Sequence, residues 1–211
     1  MKTNDLITLL AQDAPVVVSL NQALVHAAIA ATLIAGVAFF SFIGLRSDIG
    51  TALESGRFLF KFVFTIALAA SAGTVLFRIG KPGVSVRTWA MGLFLPVALI
   101  AGAAMFELTV LPGSSWEAHM VGHNARLCLT IIPSLSIAPL ACFLYAMRCG
   151  APQHPALAGA VAGLAAAGIA GTFYAANCDD DSPLFVMLWY PIAIAAVAVV
   201  GALVGRYVLR W

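Results

Sequence analysis

The sequence predicts an all-α membrane protein, with six transmembrane helices, a short cytoplasmic N-terminal helix and both termini cytoplasmic. Three observations predict it. Of 211 residues, 62% are hydrophobic and 9% charged, where a soluble domain runs about 45–50% apolar and about 25% charged; the mean hydropathy is +1.00. The apolar residues gather into six runs, at 24–45, 58–77, 89–111, 127–147, 155–176 and 184–208, each near the ~20 residues that a membrane-crossing helix needs. Lys and Arg are shared unequally between alternate separators, as they are between the two sides of a membrane. The same composition excludes a disordered chain, which would be charge-rich and poor in large apolar residues. A net charge of +2 leaves no basic stripe for nucleic acid.

In chain order, residues 1–23 form a cytoplasmic tail and 24–211 the bundle. Thr3, Asn4 and Asp5 are N-cap candidates, Leu6, Leu9 and Leu10 share one helical face, and Pro15 ends the run. Such a helix of about ten residues is marginal alone, and suits either a partner's groove or the lipid surface. Asp5, Asp13 and the lack of a basic start argue against a cleavable signal peptide. The six spans follow with short separators, which leaves no room for a soluble catalytic domain. With the N-terminus inside, Lys2, Arg78, Lys81, Arg87, Arg148, Arg206 and Arg210 face the cytoplasm, against Arg46, Arg57 and Arg126 outside. Pro96, Pro133, Pro139 and Pro191 would kink their spans. Gly159, Gly163, Ala167 and Gly171 form a small-residue ladder for close helix packing in the fifth. Trp89, Trp189, Tyr190 and Trp211 fall where interface aromatics belong.

The chemistry-bearing residues collect toward the outside. Cys128 opens the fourth span and Cys178 follows the fifth, both at the periplasmic surface, where thiols meet oxidants and metals. Cys142 lies inside the fourth span and Cys149 on the cytoplasmic side. The outer pair reads either as two packing thiols, or as a disulfide or soft-metal pair assisted by His119 and His123. These histidines are four apart and would share a face on a helical turn. Asp179, Asp180 and Asp181 precede Ser182-Pro183, an N-cap followed by proline at the first helical position, where acidic residues favour the helix dipole. Lys61 and Glu107 enter spans at similar outer depth, and either pair or sit at the water boundary with Lys61 snorkelling. Neither is at mid-membrane, where an ion relay needs charge. Two outer cysteines also fall short of the two pairs that a quinone-linked thiol oxidoreductase uses.

Particular stretches resemble NrsF-type proteins, a family of six-span bacterial inner-membrane anti-sigma factors. They are the opening Met-Lys-Thr-Asn-Asp-Leu-Ile, the stretch Cys149-Gly-Ala-Pro-Gln-His-Pro-Ala, and Tyr174-Ala-Ala-Asn-Cys178 with its acidic follow-on. Phe185 through Trp189-Tyr190 and the terminal Leu209-Arg210-Trp211 complete the set. The resemblance covers nearly the whole chain. It implies a regulator rather than an enzyme, without a resident cofactor, which holds an extracytoplasmic-function sigma factor at the membrane and releases it under heavy-metal or oxidative stress. The family's two periplasmic sensing cysteines match Cys128, in Arg126-Leu127-Cys128-Leu129, and Cys178. The tail, with Asp5, Leu6, Leu9 and Leu10, would be the docking segment. Family members carry arginines after the tail proline, where this chain has Val16-Val17-Val18. The alternative class is a small transporter for a metal or organic ion, which a mid-membrane charge or a polar cavity would mark.

Overall fold

A computed structural model describes residue 7, residues 19–81 and residues 83–210. Asp5, Leu6, Leu9 and Leu10, and with them the expected tail helix, lie outside the described residues. The helices are α1 (Leu20–Phe42), the short α2 (Ile49–Ala52), α3 (Gly56–Ile79), α4 (Arg87–Ala90) and α5 (Phe94–Val110). After them come α6 (Trp116–Val121), α7 (Ala125–Met147), α8 (Pro155–Ala175) and α9 (Pro183–Val208). Among the described residues, six helical segments are long and apolar enough to cross a membrane, as six apolar runs require.

Two departures from the sequence expectation have a local reason. The first helix starts at Leu20, not at residue 24, because Ser19 and Gln22 close a capping box. Gln22 N–H donates to Ser19 Oγ at 3.3 Å and Ser19 N–H to Gln22 Oε1 at 3.2 Å, satisfying two orphan donors. The third span is not one α-helix. A 3₁₀ turn at Met91–Leu93 joins α4 to α5, just ahead of Pro96, whose ring nitrogen cannot donate to the carbonyl one turn back. Pro133, Pro139 and Pro191 do sit inside α7 and α9.

The bundle is built around α8. Its Ala- and Gly-rich sequence buries thirteen of its residues, and it packs on α9, α3 and α7, with α1 and α7 paired beside it. The small-residue ladder serves two neighbours, not one. A Cβ on Gly163 would stand 2.7 Å from Val197 O of α9, whereas one on Gly171 would stand 3.2 Å from Thr65 Cγ2 of α3; Gly168, beside the ladder, is closer still, 2.6 Å from Ala69 N. Backbones this close gain dispersion contacts that larger residues would block. By contrast α5 leans on α3 and α9 at the bundle's edge. A cavity between these helices at mid-depth is lined by apolar side chains, among them Leu68, Ile100 and Ile194.

At one end of the bundle α1, α5 and α8 finish and α3, α7 and α9 begin; most of the buried polarity is here. At the other end the turns close tightly, with Ala151 N–H donating to Gly80 O at 3.0 Å.

Candidate functional site

The polar end is organised by residues 176–182, the turn from α8 into α9. Its backbone and side chains reach the turn after α1, α3, α5 and the turn into α7. Ala176 O accepts from Arg46 N–H at 3.2 Å, and Asn177 Nδ2 donates to Gly44 O at 3.1 Å. These bonds fasten the turn to the end of α1. Lys61, in the second turn of α3, is fully buried; its Nζ donates to Cys178 O at 2.6 Å and stands 2.6 Å from Asp181 Oδ1. Arg46 approaches the same groups, with Nη1 2.9 Å from Asp181 Oδ2 and 3.3 Å from Cys178 O. Its Nε and Nη2 make a two-point contact with Asp48, both at 2.7 Å. That fork holds the Asp48 carboxyl below the ordinary carboxylate range and the guanidinium above its own.

Each aspartate of the triplet thus has a partner beyond the helix dipole. Asp181 faces both Lys61 and Arg46. Asp180 Oδ2 accepts from His123 N–H at 2.8 Å and Asn124 N–H at 2.7 Å, ahead of the first turn of α7. Asp179 hydrogen-bonds the Asn124 side chain. Ser182 caps α9, accepting from Leu184 N–H at 3.2 Å, and donates to Glu107 Oε2 at 3.2 Å. Lys61 and Glu107 do not pair, and Lys61 does not snorkel: Lys61 takes Asp181, and Glu107 takes Arg57 at 3.1 Å.

Cys128 and Cys178 come together in one buried cluster with Tyr174, Phe185 and Tyr190. Both thiols are free and essentially inaccessible. Cys178 N–H donates to Tyr174 O at 3.0 Å, prolonging the last turn of α8, and its Sγ faces Asp180 O at 3.7 Å. Burial pushes the Cys178 thiol up, against the opposing pull of nearby Lys61, so it is protonated near neutral pH. Tyr190, read from sequence as an interface aromatic, is fully buried instead, and neither its hydroxyl nor that of Tyr174 has a hydrogen-bond partner. Trp189 Nε1, by contrast, is engaged, donating to Met120 O at 3.0 Å. Cys142 is half-buried and Cys149 exposed.

The histidines do not share a helical face. α6 ends at Val121, and Gly122 turns the chain with φ +57°, a left-handed conformation suited to glycine. His119 stays on α6 with Nδ1 donating to Ser115 O at 2.8 Å. His123 lies beyond the break, its side chain exposed and Nδ1 3.6 Å from Asp180 Oδ1. Among the described residues no three His, Cys, Asp or Glu side chains converge on a metal-sized site. The residues that sequence reading did not connect are Arg46, Lys61 and Asp181. They are 15 and 120 positions apart along the chain, and only their shared outer depth hinted at contact.

Comparisons with known proteins bear on this architecture. A family described as NrsF, negative regulator of sigma F, matches residues 10–211. A protein of Azospira oryzae named probable anti-sigma-F factor NrsF is 32% identical over 217 residues, covering 100% of both chains. The anti-sigma-F factor NrsF of Caulobacter vibrioides is 30% identical over 168 residues, covering 79% of this chain and 78% of that one. No solved structure matches.

Proposed function

The chain belongs to the NrsF family, and from that premise we propose that it is a multi-pass inner-membrane anti-sigma factor. It holds an extracytoplasmic-function sigma factor and releases it when Cys128 and Cys178 meet a heavy metal or an oxidant. Identity to proteins named as anti-sigma-F factors, over the full chain for one and 79% of it for the other, supports the first half of this reading. One observation carries the second: two free thiols, one on α7 and one just after α8, are buried in one cluster at the polar end. The Lys and Arg bias supports the periplasmic placement of that end.

The chemistry is thiol chemistry. A thiophilic divalent cation bound by both sulfurs displaces two protons. An oxidant joining them takes two electrons, and two protons leave as the S–S bond forms. In either case a buried neutral thiol must be exposed or deprotonated, so the signal opposes the resting packing. His119, on α6, and His123, just beyond it, supply further ligands once that packing shifts. Since Lys61 and Arg46 both hold Cys178 O, displacing Cys178 strains α3 and the end of α1 directly. Swinging a two-state bundle from 1:99 to 99:1 takes about 5.5 kcal/mol, and metal–thiolate bonds supply free energy of that order.

The test is a transcriptional reporter for the sigma factor beside a membrane-fraction blot. Cys128→Ser and Cys178→Ser should each abolish the response to cadmium or peroxide, with the reporter silent in unstressed cells. Cys142→Ser and Cys149→Ser should respond normally. Normal responses from all four variants would refute thiol sensing, and a response lost only with Cys149→Ser would place sensing at the other end.

A further inference from the structure

A second site lies at the polar end, away from the thiols. Between the start of α3 and the end of α5 opens a cavity of about 550 Å³, lined by Ser55, Arg57, Phe60, Phe106, Glu107 and Val110 among others. It presents both signs of charge. Arg57 is half-exposed, its Nη2 3.1 Å from Glu107 Oε1. Glu107 is only 2% exposed; Oε2 accepts from Ser182, while no donor is aligned on Oε1 as a hydrogen bond. Oε1 is paired with Arg57, so an anion that draws the guanidinium aside leaves a buried carboxylate oxygen in need of a new donor. Beside it the first turn of α3 has no side-chain cap, and a Cβ on Gly56 would meet nothing within 4 Å. The amide end of this long helix is therefore open to an approaching anion.

We propose that this cleft binds a phospholipid headgroup carrying a phosphate and a primary amine. The phosphate sits against Arg57 and the open N-terminus of α3, where the amides and the dipole favour an anion. The ammonium donates to Glu107 Oε1 in a charge-assisted bond. The apolar wall decides for a lipid over a soluble amino-phosphate. Phe106 and Val110 are exposed and would stay uncovered by a headgroup alone, but lie where acyl chains begin. The level fits as well, since α3 begins and α5 ends here, at the headgroup layer of a spanning bundle. A choline headgroup has no N–H to offer Glu107, and a glycerol headgroup has no cation.

The experiment is native mass spectrometry of the full chain in mild detergent, titrated with phosphatidylethanolamine, phosphatidylcholine or phosphatidylglycerol of identical acyl chains. Phosphatidylethanolamine should bind about tenfold tighter than the other two, the scale of one charge-assisted hydrogen bond. Glu107→Gln should remove that preference, and Arg57→Gln should weaken all three lipids together. Equal binding of the three by the unmodified chain, or a preference surviving Glu107→Gln, would overturn the assignment. So would competition by free phosphoethanolamine at the lipid's own concentration, which would make the ligand a soluble one.

Discussion

Tyr174 and Tyr190 bury hydroxyls that find no partner, and such a group costs about 1–3 kcal/mol relative to its satisfied form. Tyr174→Phe and Tyr190→Phe should therefore leave the resting protein as stable or raise its unfolding temperature in detergent. A drop of several degrees would mean that the hydroxyls are bonded after all. Lys61 has the opposite expectation. Its ammonium is buried against Asp181 and Cys178 O, while Asp181 also holds Arg46, so removing Asp181 strands the lysine, at about 3–5 kcal/mol. Asp181→Asn should be strongly destabilising in the same melt, and Asp181→Asn with Lys61→Met less so than the single change. The Cys178 thiol gives a pH test. Burial raises its pKa above the unfolded value, so the native state keeps its proton where the unfolded chain has begun to ionise. The resulting stability is full below about pH 8.5, the ordinary thiol value, and declines as pH rises beyond it. In a chain whose only cysteine is Cys178, iodoacetamide labelling at pH 8 should be at least about tenfold slower in the native protein than in denaturant. Equal rates would contradict the burial.

Helix packing separates glycines that look alike in sequence. Gly163 and Gly168 of α8 are held against the backbones of α9 and α3, whereas Gly73 of α3 and Gly102 of α5 have nothing within 4 Å of a built Cβ. Gly163→Ala and Gly168→Ala should each cost about 1–3 kcal/mol, as overpacking does. Gly73→Ala and Gly102→Ala should be neutral or stabilise by about 0.5–1 kcal/mol, the helix-propensity gain; thermal unfolding in detergent reads both signs. The spans themselves were legible because a membrane-crossing helix needs one long apolar run and nothing else. Their faces were not. The hydrophobic residues surround each helix, so periodicity does not reveal which stripe meets protein and which meets lipid. Hence the ladder in α8 was readable as a packing surface, but its division between α3 and α9 was not. The polar hub was hidden for a related reason. Arg46, Lys61, Glu107 and Asp181 lie on separate elements, and their pairing depends on which spans are neighbours. The histidine pair failed locally, because Gly122 breaks the turn that would have aligned it.

Across the whole molecule, the proposed sensing and docking functions stand at opposite ends. The thiol cluster and its ion-paired turn cap the end where α1 finishes, while α1 begins at the other, about the depth of a ~30 Å hydrocarbon layer away. α1 links them directly, since the backbone that follows it is tied to Ala176 O and its Arg46 to Asp181 and Cys178 O. Cutting at the tail should thus break docking without touching the sensor. Deleting residues 1–12 should release the sigma factor in unstressed cells and raise the reporter to its fully induced level, where cadmium adds nothing. Insertion should survive, because the apolar runs begin beyond the deletion and the capping box at Ser19 and Gln22 is kept. The blot should show normal membrane levels, and Cys178 in the truncated chain should label as slowly as in the full one. A silent reporter at normal membrane levels would move docking from Asp5, Leu6, Leu9 and Leu10 to the loops at that same end, with Arg78 and Arg87 next to replace. A reporter still inducible by cadmium would show that the remaining contacts suffice to hold the sigma factor, and that the tail only strengthens them.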